Sequence, residues 1–258
     1  MNSRFAMNLD EEFPHLPGAP IVEAVIHWQA HPAEPFEPAK LLGRLKDLLP
    51  DYPHVQPQHQ FSIEHQVGPQ GTRLNQSQSW QAFQLSSLDG GYVAQFNRTG
   101  LVFSRLPPYQ RWTPFSREAM RIWDIYRQIA TPPAIQRIGL RYINLVPIDS
   151  IDEAHQFLRQ PPGFPGDLDL PATNYVHQSR FDVPGHHLQL NLVQTVQQAP
   201  PESDRELNLI VDLDIFSTGE RVDQDEFQSG KLFRRMRWLK NKAFFSIFSN
   251  QALEDFRR

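Results

Sequence analysis

Asp212 and Asp214, in the run IVDLDIF, stand two residues apart in a segment that reads as a strand. Their carboxylates therefore project from one face. Oxygen ligands paired in this way suit Mg²⁺, so one reading is a Mg²⁺-dependent hydrolase or nuclease that uses this pair. A second cluster lies in residues 134–148, AIQRIGLRYINLVPI, where Arg137 and Arg141 share a face with Gly139 between them. A glycine there leaves room for a close neighbour or a ligand, and two arginines side by side can clamp a carboxylate or phosphate. The structural alternative pairs these arginines with Asp212, Asp214 or Glu23, because a buried arginine is normally paired.

The third cluster is C-terminal. Residues 230–258 hold eight Lys and Arg against two acids, on a chain whose net charge is −4. Leu232, Met236, Leu239, Ala243 and Ile247 recur at helical spacing, with Phe233, Phe244 and Phe248 widening the stripe. The other side carries Lys231, Arg234, Arg235 and Lys242, with Trp238 and Phe245 among them. Aromatic rings among cations stack on bases or anchor a partner. Cover by another part of the protein is the alternative, since a helix apolar over more than half its girth is usually buried.

Other chemistries have no support. Cysteine is absent, which removes disulfides, thiolate metal sites and a cysteine nucleophile. There is no GxGxxG, GxSxG, HExxH or phosphate loop, and GPQGT at residues 68–72 lacks the lysine such a loop needs. The ten histidines fall at no metal-ligating spacing. The overall negative charge argues against nucleic acid as the main partner, because phosphate contacts dominate that affinity. Binding through the basic helix nevertheless stands as an alternative.

These residues need elements to position them. The segment 134–148 reads as a central strand, apolar on both faces and so covered on both sides. Residues 21–29 form another strand, and Pro38 opens a leucine-rich helix that Pro50 closes. Strands are expected near 58–67, 79–87, 91–97 and 101–106, separated by Gly-marked turns. A helix from Thr113-Pro114 follows, stopped by Thr131-Pro132-Pro133. After the central strand come a capping box at Ser150–Glu153, a Pro/Gly-rich loop over 160–172 and strands near 175–183, 187–197 and 207–216. A last helix is expected over 225–248.

The two halves thus share an element order of strand, helix, strands, helix. The expected fold is α+β: two similarly ordered units, each a curved antiparallel sheet packed on a long helix, with an N-terminal surface arm over 1–20 and units over 21–131 and 132–258; a single globular domain with one continuous sheet shared by the units is the alternative. That order looks like the TATA-binding-protein or helix-grip arrangement, which implies no function. Pro20-Ile21-Val22-Glu23-Ala24, Leu140-Arg141-Tyr142-Ile143-Asn144, Leu213-Asp214-Ile215 and Asn241–Phe245 with Leu253 together resemble a sporadically distributed prokaryotic family of similar length and no established activity. The resemblance implies a mobile-element, defence or toxin–antitoxin context.

The leading expectation is a non-enzymatic binding protein, a homo-oligomer or the holder of a protein partner. Its partner- or anion-binding residues are Arg137, Arg141, Arg234, Arg235, Trp238 and Lys242, and Asp212 and Asp214 are the metal candidates. The N-terminus has no apolar signal segment and no run is long enough to span a membrane, so the cytoplasm is expected.

Overall fold

Proline and glycine punctuate this chain where its elements begin and end. In a computed structural model, residues 5–68, 71–161, 163, 170, 172, 174–219, 222, 227 and 230–258 are described, with backbone alone for 62–68 and 71–77. Strand β1 is Ile21–Gln29, and helix α1, Pro38–Leu48, has its proline at the first turn. Strands β2 (His54–Gly68), β3 (Gly71–Ser86), β4 (Tyr92–Asn97) and β5 (Gly100–Arg105) precede helix α2 (Trp112–Ala130). Strand β6 is Arg137–Ile148. A single 3-10 turn, Ile151–Glu153, runs into α3 (Ala154–Phe157). Strands β7 (Tyr175–Val183), β8 (Leu188–Gln198) and β9 (Leu207–Thr218) follow, then α4 (Lys231–Ile247) and α5 (Asn250–Asp255).

The expectation of two sheets, each packed on its own long helix, is corrected. There is one nine-stranded antiparallel sheet, in the order β2-β3-β4-β5-β1-β6-β9-β8-β7. The physical reason is the cost of open edges. Two sheets would present four rows of unpaired backbone N–H and C=O groups, whereas one sheet presents two.

The chain forms two compact units, one of Met1–Ile26, Leu106–Arg111 and Gln136–Arg258, the other of His27–Arg105 and Trp112–Ile135. In the second of these, α2 packs on β5 and on α1. Trp28 stacks on Trp123 with 5.2 Å between ring centroids, and the Tyr126 hydroxyl donates to the Ala30 carbonyl. The hairpin β2–β3 is longer than expected. It pairs from His54↔Ser86 to Gly68↔Gly71, whereas β4 meets β3 only over Ala82–Ser86. Residues 69 and 70 of the expected Gly68-Pro69 turn lie outside the described residues.

In the unit holding the candidate site, β6 pairs with β9 from Arg137↔Thr218 to Ile148↔Leu207. The expectation that β6 is covered on both faces is also corrected. Ile138, Leu140, Tyr142, Asn144, Val146 and Ile148 are buried, while Arg137, Arg141, Ile143 and Leu145 are half-buried or exposed. Helix α4 packs on β9 and β6, so this strand has a helix-covered face and a polar face. The Ser150 side chain makes no cap bond; instead Glu153 accepts from the Asp149 amide at 3.1 Å. Helix α4 begins only after Gly230, whose φ of 74° suits a residue without Cβ. Its expected start at Asp225, like most of the 160–172 loop, lies outside the described residues.

Candidate functional site

Two of the three clusters lie on the polar face of the β6–β9 ladder. The direct cross-strand partner of Arg141 is Asp214, and that of Ile143 is Asp212. Arg141 reaches diagonally to Asp212, its Nε 2.8 Å and its Nη2 2.6 Å from the two carboxylate oxygens. Arg137 reaches Asp214, Nη2 to Oδ2 at 2.7 Å. Gly139 makes this second pair feasible, since a Cβ there would stand 2.7 Å from the Arg137 guanidinium. The neighbour for which the glycine leaves room is Arg137 itself. Its guanidinium also lies 4.6 Å from the centre of the Phe216 ring, with Arg180 at 5.0 Å from the same ring.

The electrostatics follow from this geometry. Burial pushes the Asp214 carboxyl above its ordinary value, and Arg137 and Arg141 pull it back in part. The hydrogen bonds to Asp212 raise the Arg141 guanidinium further above its already high range. Both carboxylates proposed for Mg²⁺ are therefore engaged by cations. Among the described residues, no group of three or more His, Asp or Glu is placed to hold a metal ion. Both arginines considered as an anion clamp direct donors at these internal carboxylates.

The third cluster lies on the outer face of α4, and here the structure adds residues that no motif had marked. The N-terminal arm is seated on it. Glu11 accepts from Trp238 Nε1 at 3.1 Å and from Lys242 Nζ at 2.7 Å, bridging two residues one helical turn apart. Arg234 lies 3.3 Å from the Leu9 carbonyl oxygen and 3.4 Å from Asp10. Phe13 stacks on Phe245 at 5.4 Å, and Phe5 meets Trp238 edge-on at 6.1 Å. Trp238 is consequently buried rather than exposed, while Arg235 is half-buried and Arg234 and Lys242 remain exposed. The arm is fixed at its root by Gly18, whose amide donates to the Phe256 carbonyl at 2.9 Å. A Cβ on Gly18 would stand 3.2 Å from that oxygen. An open cleft of about 370 Å³ remains between arm and helix, beside Glu12, Arg237 and Asn241.

The run Asp10-Glu11-Glu12-Phe13 carries the signal that could have found this contact. It is the charge complement of the basic helix and ends on a ring. On the inner side of α4, Lys240 Nζ lies 4.3 Å from the Tyr142 ring centre, and the Tyr142 and Tyr109 hydroxyls share a hydrogen bond at 2.9 Å. Lys240 has no ion pair with a described residue. Burial, reinforced by Arg237, pulls its ammonium down to about 7. Nothing in its spacing distinguishes it from the other basic residues of the helix. No helix among the described residues is long and apolar enough to cross a membrane. No protein-family model matches the chain, and no curated protein matches it either.

Proposed function

We propose that this chain is a non-enzymatic interaction module whose contact surface is the outer face of α4, built from Arg234, Arg235, Trp238 and Lys242. The observation that supports this reading is the seating of Asp10–Phe13 on that face. A carboxylate held by Trp238 and Lys242, and a ring held by Phe245, are the contacts by which a basic aromatic surface grips a peptide-like segment. The polar face of the β6–β9 ladder is the weaker candidate, because its charges are matched by carboxylates of the adjoining strand, whereas those of α4 are matched by an arm segment outside any helix or strand. The module works in the cytoplasm, as a homo-oligomer or with a protein partner. Its resemblance to the sporadically distributed prokaryotic family favours a mobile-element, defence or toxin–antitoxin setting.

Capture of partners from a lysate of the native host, by wild type and by an Arg234→Glu, Lys242→Glu double variant, tests the surface. Both side chains are exposed, so the variant keeps the fold, as thermal melting will show. Capture that disappears in the folded variant is the expected result. The same proteins captured equally by both forms refutes the assignment.

A further inference from the structure

Resting on that reading, we infer that the partner presents a short segment with a carboxylate two residues ahead of an aromatic ring. The arm residues Leu9–Phe13 are then the occupant in cis that such a segment displaces.

The chemistry of the ligand is read from what α4 already holds. From Glu11 to Phe13 the arm alternates, with Glu11 and Phe13 half-buried and Glu12 exposed. The turn that ends at Glu11, whose amide donates to the Asn8 carbonyl at 3.0 Å, brings these two side chains to the helix from one side of the arm. The helix receives the two inward groups differently. Trp238 Nε1 and Lys242 Nζ, one turn apart, each donate to a separate oxygen of Glu11. Phe245, a further step along the same side, offers its ring to Phe13 with planes only 26° apart. A donor pair followed by a flat ring selects an acid followed by an aromatic residue. The Arg234 contacts to Leu9 and Asp10, at 3.3 and 3.4 Å, are longer and add charge more than geometry.

A second copy of this chain carries the same segment, yet it gains nothing by offering it. Reciprocal exchange replaces each contact with an identical one and adds the loss of free motion on association. A tethered arm also competes at an effective concentration on the order of millimolar. A trans segment therefore needs the arm loosened or must fit better than the arm does.

The test uses the full chain. A Glu11→Lys, Phe13→Ala double variant sets a cation against Lys242 and removes the stacked ring, which unlatches the arm without touching α4. The probe is a fluorescein-labelled peptide with the sequence of residues 8–18, read by anisotropy. The unlatched protein is expected to bind it at least about tenfold more tightly than wild type does. A peptide carrying the same two substitutions is expected not to bind, and adding Lys242→Glu to the protein is expected to weaken the authentic peptide by a similar factor. Should the double variant fail to fold, Phe13→Ala alone serves in its place. Equal binding to wild type and unlatched protein overturns the inference, as does no binding by an unlatched protein that melts like wild type. Arm-dependent dimers of the wild-type chain in light scattering overturn it in favour of a second copy. If the peptide fails while lysate capture still depends on Arg234 and Lys242, the inference falls and the assignment of the surface stands.

Discussion

Replacing Arg141 with alanine leaves the Asp212 carboxylate facing a space its partner has vacated. Asp212 is only 13% exposed at its side chain, whereas Arg141 is 47% exposed. Deleting one partner of a fully buried pair costs about 3–5 kcal/mol, and an exposed pair contributes about 0.2–1 kcal/mol. A dry carboxylate with a half-wet guanidinium falls between these limits. Arg141→Ala is therefore expected to cost about 2–3 kcal/mol, since the stranded group is the dry one. Asp212→Ala is expected to cost about 1 kcal/mol, because the arginine it frees can turn to water. The double variant is expected to recover a coupling of about 1–2 kcal/mol, measured by urea unfolding at constant m. Raised salt is expected to leave most of this coupling in place, because a partly buried pair is poorly screened. Single effects that simply add, with coupling below about 0.3 kcal/mol, would refute the reasoning. Arg141 would then be available to an external anion after all.

Two further outcomes test the packing and the charge balance. A Cβ at Gly100 would stand 1.9 Å from the Trp28 carbonyl oxygen, a backbone atom that cannot step aside. Gly100→Ala is expected to cost about 3 kcal/mol, the upper end for overpacking, and a loss below about 1 kcal/mol by urea unfolding sinks that account. For Lys240, whose folded value is depressed to about 7, folding favours the neutral amine. Wild-type stability is thus expected to rise with pH from about 7 toward the unfolded lysine range near 10.4, where the unfolded chain binds the extra proton. Lys240→Met is expected to melt higher than wild type at pH 6.5 and to lose that advantage by pH 10. An advantage independent of pH would mean that the ammonium is adequately solvated.

Much of the fold was legible because it is written in local chemistry. Pro38 and Pro50 bracket α1, Thr131-Pro132-Pro133 stops α2, and Leu232, Met236 and Leu239 of the expected α4 stripe are buried. The sharing of a face by Arg137 and Arg141, and by Asp212 and Asp214, followed from the strand period, and the structure joins the two pairs. What was illegible depends on backbone or on distance along the chain. The merging of all nine strands into one sheet is made by N–H and C=O groups that every residue carries, so no side chain announces it. The hairpin β2–β3 was cut short because Gln76, Ser77, Gln78 and Ser79 show no alternation of apolar and polar residues. For Trp238, burial under the sheet, a symmetry mate, the other helix or the tail stood against exposure, and the actual cover, Phe5 and Glu11, was illegible because it comes from more than two hundred residues upstream.

Among the described residues, the order of strands leaves β2 and β7 as the two rims on which another strand can template itself. On the β2 rim, Pro57 has no N–H to offer and interrupts the row of donors. The β7 rim has no proline between Tyr175 and Val183, and it shows Val176 66% exposed and Phe181 48% exposed. Beyond its proline, β2 also shows Phe61 73% exposed, so fibrous growth in concentrated or partly denatured protein has a permissive stretch on each flank, the one on β7 lacking any proline. A lysine in place of Val176 would post a gatekeeper there.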